Sequence, residues 1–228
     1  MRTYKSSNLR TLAAVGVFTA LAYVSCVVFH FRMLFLSFDL KDSVMLIGAM
    51  LLGPHYGLAM AAIVALLEFM TISSTGIYGL IMNFVASAAF VCIGSLIYSK
   101  KRDMTGAVIG TVSSVIGMTA IMMVANIIVT PLYTNTTSAD VIKMIPTVLL
   151  PFNLTKAVFN AAIMFTLYTP VSKALRLAGF TSQGEGIPAQ KKSAKTTIIV
   201  TVISLVIAVA SLLVFFFVLN GTFTAGKG

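Results

Sequence analysis

The sequence predicts an all-α polytopic membrane protein: a six-helix bundle with one further transmembrane helix near the C-terminal end. Apolar residues make up 58% of the chain and charged residues only 10%, with a mean hydropathy of +1.00. A soluble domain carries about 25% charged residues. Apolar runs of roughly 18 residues or more recur along the chain, each long enough to cross the hydrocarbon core as a helix. Ten-residue segments of alternating polarity, the mark of a transmembrane barrel, are absent. Helices that satisfy their own backbone hydrogen bonds are the remaining way to cross lipid.

The first helix is expected from Leu9 to Phe29, followed by a polar stretch from Arg32 to Asp42 that holds Asp39, Lys41 and Asp42. A short apolar run, Ser43 to Leu52, ends at Gly53-Pro54 and is too short to span unaided. The third run, Tyr56 to Ile72, stops at the turn residues Ser73-Ser74-Thr75-Gly76. The fourth, Gly79 to Tyr98, stops at Lys100-Lys101-Arg102, and the fifth, Thr105 to Val129, at Thr130-Pro131. A polar loop from Tyr133 to Lys143 leads to the sixth, Thr147 to Leu175. These six define a six-helix membrane domain over 1–177, followed by a basic flexible linker over 178–195. The helix at 196–219 and a tail at 220–228 complete the chain. Between Thr196 and Leu219 there is no charge, amide, Gly or Pro, and the linker before it reads as a tether. That helix is therefore expected to be peripheral to the core.

The net charge of +10 does not indicate nucleic-acid binding, because the basic residues punctuate the ends of apolar runs and form no patch with interleaved aromatics. They write topology instead. With the N-terminus inside, Arg2, Lys5, Arg10, Lys100, Lys101, Arg102, Lys173, Arg176, Lys191, Lys192 and Lys195 fall on the inner side. Arg32, Lys41, Lys143 and Lys227 fall outside. The bias places the N-terminus on the cytoplasmic side, with the seventh helix exiting outward. The first run is long and lacks an evident cleavage site, so it reads as a retained helix. Cys26 and Cys92 lie inside apolar runs and read as core filler.

Polar residues within spans are expensive and mark function. In Pro151-Phe152-Asn153-Leu154-Thr155-Lys156, the proline suits a helix start or kink, and Asn153 and Lys156 share a face. An amide that donates and accepts, beside a cation that only donates, suits a flat heterocycle edge rich in carbonyls and ring nitrogens. The alternative is that Lys156 snorkels outward while Asn153 satisfies backbone freed by the proline. The depth of Lys156 beyond Thr147 favours the binding role. Asn126, near the outer end of the fifth helix, reads equally as a ligand contact or an interhelical hydrogen bond. Glu68 reads as the partner of a basic residue, Arg32 or Lys41, and His30 and His55 as interfacial side chains. Gly16 and Ala20 have the spacing that admits a second helix at close range, a spacing repeated by Gly106 and Gly110. Gly221 to Lys227 imitates a phosphate loop but lacks the motif's Ser/Thr, a preceding strand and a following helix.

On these residues the sequence resembles the S component of energy-coupling factor (ECF) vitamin transporters, and within it the riboflavin-specific branch. The resemblance covers roughly residues 9 to 176. It rests on the hydropathy with its short second helix, on Gly16-x-x-x-Ala20, on Asn126-Ile-Ile-Val-Thr-Pro131-Leu-Tyr133, and on Pro151-Phe-Asn153-Leu-Thr-Lys156. It implies that Asn126, Asn153 and Lys156 meet the isoalloxazine ring of riboflavin, a transported ligand and not a cofactor. It implies too that the loop after helix one and the fifth loop close over that ligand. The Gly16/Ala20 face would dock on a transmembrane coupling subunit attached to two ATPases. The chain departs from the family in having Gly where the first Ala is usual, and in adding the run at 196–219.

Two other classes compete. A self-sufficient secondary transporter would favour an inverted repeat and broken midplane helices, which the sequence does not display. A membrane enzyme or assembly factor would need a catalytic cluster, and no nucleophile–base pair, paired carboxylates or His/Cys cluster is recognisable. An S component for another vitamin or flavin is the nearer alternative.

Overall fold

Why the chain breaks where it does is visible in a few residues. The computed structural model describes residues 3–177, 194–220 and 222–223. Helix α1 covers Thr3–Val28; strands β1 (Phe31–Met33) and β2 (Leu36–Phe38) form a tight hairpin through Leu34, at φ 54°. Helix α2 (Lys41–Leu52) and α3 (Pro54–Thr71) are separated by Gly53, whose φ of 124° favours glycine, with Pro54 opening α3. Helices α4 (Gly76–Lys100) and α5 (Met104–Val129) follow; Asp103 caps α5 by accepting a hydrogen bond from the Gly106 amide at 2.7 Å.

Pro131 ends α5 and opens the one-turn helix α6 (Pro131–Thr134). The expected polar loop at 133–143 is mostly the short helix α7 (Ser138–Met144), started by a Thr137/Asp140 capping box. A π-helical turn at Ile145–Leu149 joins it to α8 (Leu150–Leu177). Helix α9 (Ala194–Leu213) ends in a second wide turn, Val214–Val218, and strand β3 (Thr222–Phe223) pairs antiparallel with β1. The sheet order is β2-β1-β3. The linker expected at 178–195 and the Gly221–Lys227 imitation lie almost wholly outside the described residues.

Six helices among the described residues are long and apolar enough to cross a membrane; α2 is not one of them. The protein is a multi-pass helical membrane bundle. Packing divides into two cores. In the first, α1–α5 and α8 enclose Phe18, Met45, Met60, Phe90 and Met118. Helices α4 and α5 cross closely there, because a Cβ on Gly110 would stand 2.6 Å from the Gly94 carbonyl oxygen. Lipid is as apolar as these side chains, so their gain is close packing more than escape from water.

The second core lies under the hairpin and is aromatic: Phe31 and Phe38 from the strands, Phe152 and Phe159 from α8, and Phe215 from the end of α9. Here the expectation of a peripheral seventh helix meets a different arrangement. α9 packs along α8, and Phe215 is fully buried. Its inward residues Ser204, Ala208 and Ser211 are small, which lets the helices lie close, and Phe215 follows on the same stripe.

Candidate functional site

Where β2, α2, α3 and α8 meet, an apolar bundle buries five ionisable side chains. Asp39, Lys41, Asp42, Glu68 and Lys156 are each at most 4% exposed. Such groups persist away from water only when paired and hydrogen-bonded. Lys156 Nζ donates to Asp39 Oδ2 at 2.9 Å and to the Ser37 carbonyl oxygen at 2.9 Å. Lys41 Nζ lies 3.5 Å from the same Asp39 oxygen and 2.6 Å from Glu68 Oε1. The Asn83 amide donates to Glu68 Oε2 at 2.7 Å, and the Ser87 hydroxyl to Asp42 Oδ1 at 2.6 Å. Burial opposes the charge on Asp39, but Lys156 and Lys41 outweigh it and hold the carboxyl down at about 2.

Asn160 locks this arrangement to α8. Leu40, ahead of α2, has no side chain able to cap it, so the first amides of α2 need partners from elsewhere. Asn160 Oδ1 accepts from the Ser43 amide at 2.9 Å, while its Nδ2 donates to the Asp39 carbonyl at 2.8 Å. One side chain therefore caps a helix and fixes the loop that presents Asp39.

The Glu68 expectation resolves in favour of Lys41. Lys156 points inward and does not snorkel. Asn153 sits one turn before it, 2% exposed, with its amide nitrogen donating to Leu149 O at 2.8 Å. Asn126 is fully buried in the last turn of α5; its nitrogen donates to Met122 O at 2.7 Å and its oxygen accepts from Thr130 at 2.9 Å. Both asparagines thus bond within their own helices. The flanking Met123 and Ile127 pack on the aromatic core that holds Phe152, which sets Asn126 beside the start of α8. His30 is buried, not interfacial, and accepts from Arg32 Nε at 3.2 Å. Arg32 also donates to the Ile72 carbonyl at 2.8 Å, tying the hairpin to the α3–α4 turn. Between them lies a cavity of about 20 Å³, room for one water, lined in part by Ser37, Glu68 and Asn83.

Sequence reading missed Asn160 as a member of this group, although 153, 156 and 160 follow helical spacing and could have signalled one continuous polar face. It also missed the aromatic wall. The docking candidates lie elsewhere: Gly16 and Ala20 are exposed on α1, and a Cβ on Gly16 would meet nothing within 4 Å.

Residues 10–168 match the family described as ECF transporter, substrate-specific component. The riboflavin transporter RibU of Staphylococcus aureus (strain TCH60) is 24% identical over 176 residues, 73% of this chain and 93% of that protein. The riboflavin transporter FmnP of Bacillus subtilis (strain 168) is 25% identical over 173 residues, covering 71% and 91% respectively. A solved S component of a bacterial ECF transporter shares the fold with a TM-score of 0.63 at 24% identity, over 74% of this chain and 99% of that one.

Proposed function

The chain belongs to the ECF transporter substrate-specific component family, and from that premise we propose that it is the riboflavin-binding membrane subunit of an ATP-driven importer. The observation that carries this reading is the polar ladder of Asn153, Lys156 and Asn160 at the start of α8, buried against Asp39 inside an apolar bundle. The names of the two relatives support riboflavin as its cargo. In binding, Lys156 exchanges a protein carboxylate and carbonyl for ligand acceptors, and the amides of Asn153 and Asn126 exchange carbonyls of their own helices. Each swap keeps the donor satisfied while its acceptor changes, and Asp39 retains Lys41 at 3.5 Å.

Capture takes place from the outer side, with the N-terminus in the cytoplasm. The open Gly16/Ala20 face of α1 docks on a transmembrane coupling subunit that carries two ATPases, which supply the energy. The chain itself has no catalytic role in this scheme.

The test is titration of riboflavin with full-length protein in detergent. Quenching of flavin fluorescence with one-to-one stoichiometry is expected, with competition by FMN separating the two flavins. Binding of thiamine or biotin in its place would move the protein to another branch. Asn153→Ala should weaken riboflavin binding by about 1–3 kcal/mol; an unchanged affinity would remove Asn153 from the site.

A further inference from the structure

The family match ends at residue 168, so α9 lies outside it, yet α9 reaches the second core. Four small or aromatic residues, Ser204, Ala208, Ser211 and Phe215, form its inward stripe, and the wide turn at Val214–Val218 keeps Leu219 on that stripe, 5% exposed. The Ser211 hydroxyl donates to Ile207 O at 2.9 Å, within its own helix.

Phe215 then stands at a junction. Its ring centroid is 4.5 Å from that of Phe38, 5.9 Å from Phe31 and 6.3 Å from Phe152. Phe216 meets Phe31 edge-on at 5.4 Å. Phe38 directly precedes Asp39, and Phe152 directly precedes Asn153. Strand β3, just past α9, pairs through its backbone with β1. The C-terminal segment thus grips the hairpin twice, by the packing of Phe215 against rings of the strands and of α8 and by strand pairing at the β1 edge.

We propose that α9 positions the substrate site: Phe215 wedges the β1–β2 hairpin against the start of α8 and so holds the hairpin closed over the Lys156 end of the site, whether Lys156 bonds the hairpin or the ligand. A bound substrate is retained longer for it. The alternative roles of a lipid-facing α9, tethering or partner recruitment, would not require a buried aromatic between two site elements. Retention is expressed as a slow off-rate, the quantity through which related binders mostly differ.

The inference rests on the riboflavin reading only for its ligand. The experiment compares full-length wild type, Phe215→Ala and Phe215→Leu by two readouts. One is amide hydrogen exchange without ligand; the other is the riboflavin dissociation rate, followed by fluorescence recovery. Phe215→Ala should speed exchange in residues 31–38 while α3 and α4 keep their protection, and should raise the off-rate by about tenfold or more. Phe215→Leu should restore much of both. If Phe215→Ala leaves hairpin exchange and off-rate within about twofold of wild type, the wedge is refuted. Loss of protection across α3 and α4 as well would also overturn it, by making Phe215 a general core residue. Should wild type bind no riboflavin while Phe215→Ala still loosens the hairpin selectively, the wedge stands and the riboflavin reading falls.

Discussion

The interior around Asp39 and the outward face of α1 are built by opposite rules. Around Asp39 the carboxylates and ammonium groups meet a charge or hydrogen-bond partner, and those partners come from β2, α2, α3, α4 and α8. On α1, Gly16 and Ala20 are exposed, and among the described residues nothing lies within 4 Å of a Cβ on Gly16. A polar group in a dry interior carries a large penalty when its partner is removed, whereas a small residue on an open face carries none. Interior substitutions should therefore cost stability first and activity with it. Substitutions on the open face should cost only what a partner helix contributes.

The largest effect is expected from Lys156→Met. It leaves Asp39 buried with Lys41 alone at 3.5 Å and strips a donor from Ser37 O. Removing one member of a buried ion pair costs about 3–5 kcal/mol. Unfolding of the detergent-solubilised protein should shift accordingly, and the double change Asp39→Leu with Lys156→Met should recover a good part of the loss. A single-mutant cost below about 1 kcal/mol would mean that water reaches the pair, and the contrast with α1 would shrink.

Asn160→Leu should rank next, at roughly 2 kcal/mol, because it orphans the Ser43 amide and the Asp39 carbonyl in a buried place. Hydrogen exchange at the first turn of α2 should rise specifically. Protection there equal to wild type would show that another group caps α2.

These two residues also mark the limits of sequence reading. The spans were legible because lipid imposes one dominant rule, long apolar runs with basic ends, and α3, α4 and α5 lie close to where the hydropathy puts them. That Glu68 pairs with a basic residue was legible because a buried carboxylate needs a cation, but the choice of Lys41 over Arg32 came from the structure. The role of Asn160 was not, since its partners Ser43 and Asp39 are distant in sequence and no local pattern announces a cap borrowed from another helix. The packing of α9 was missed for a different reason. Uniform apolarity is equally consistent with lipid contact and with a core, and only the Ser204, Ala208, Ser211, Phe215 stripe separates the two. The short hairpin escaped notice because its strands are three residues each, too brief for period-2 alternation to register.

The smallest effect on the folded molecule is expected at Gly16. Gly16/Ala20 and Gly106/Gly110 share one spacing, and the structure uses them differently. Gly110 is committed inside, where any Cβ would strike the Gly94 carbonyl oxygen, and a Cβ on Gly106 would run into that of Lys101. Gly16 is uncommitted: among the described residues nothing lies within 4 Å of a Cβ placed there. Gly110→Val should therefore disrupt the α4–α5 crossing and lower stability by an amount in the range of core overpacking, about 1–3 kcal/mol. Gly16→Leu should leave the unfolding midpoint and riboflavin affinity within error of wild type, and even gain slightly from a better helix former. Uptake by cells expressing the coupling subunit and ATPases should nonetheless fall steeply, because a leucine there keeps a partner helix from approaching closely. Uptake that survives Gly16→Leu would move the docking surface off this face of α1. Loss of binding together with uptake would show that the face supports the fold after all, and the open space beside Gly16 would then belong to a conformation other than the one that binds.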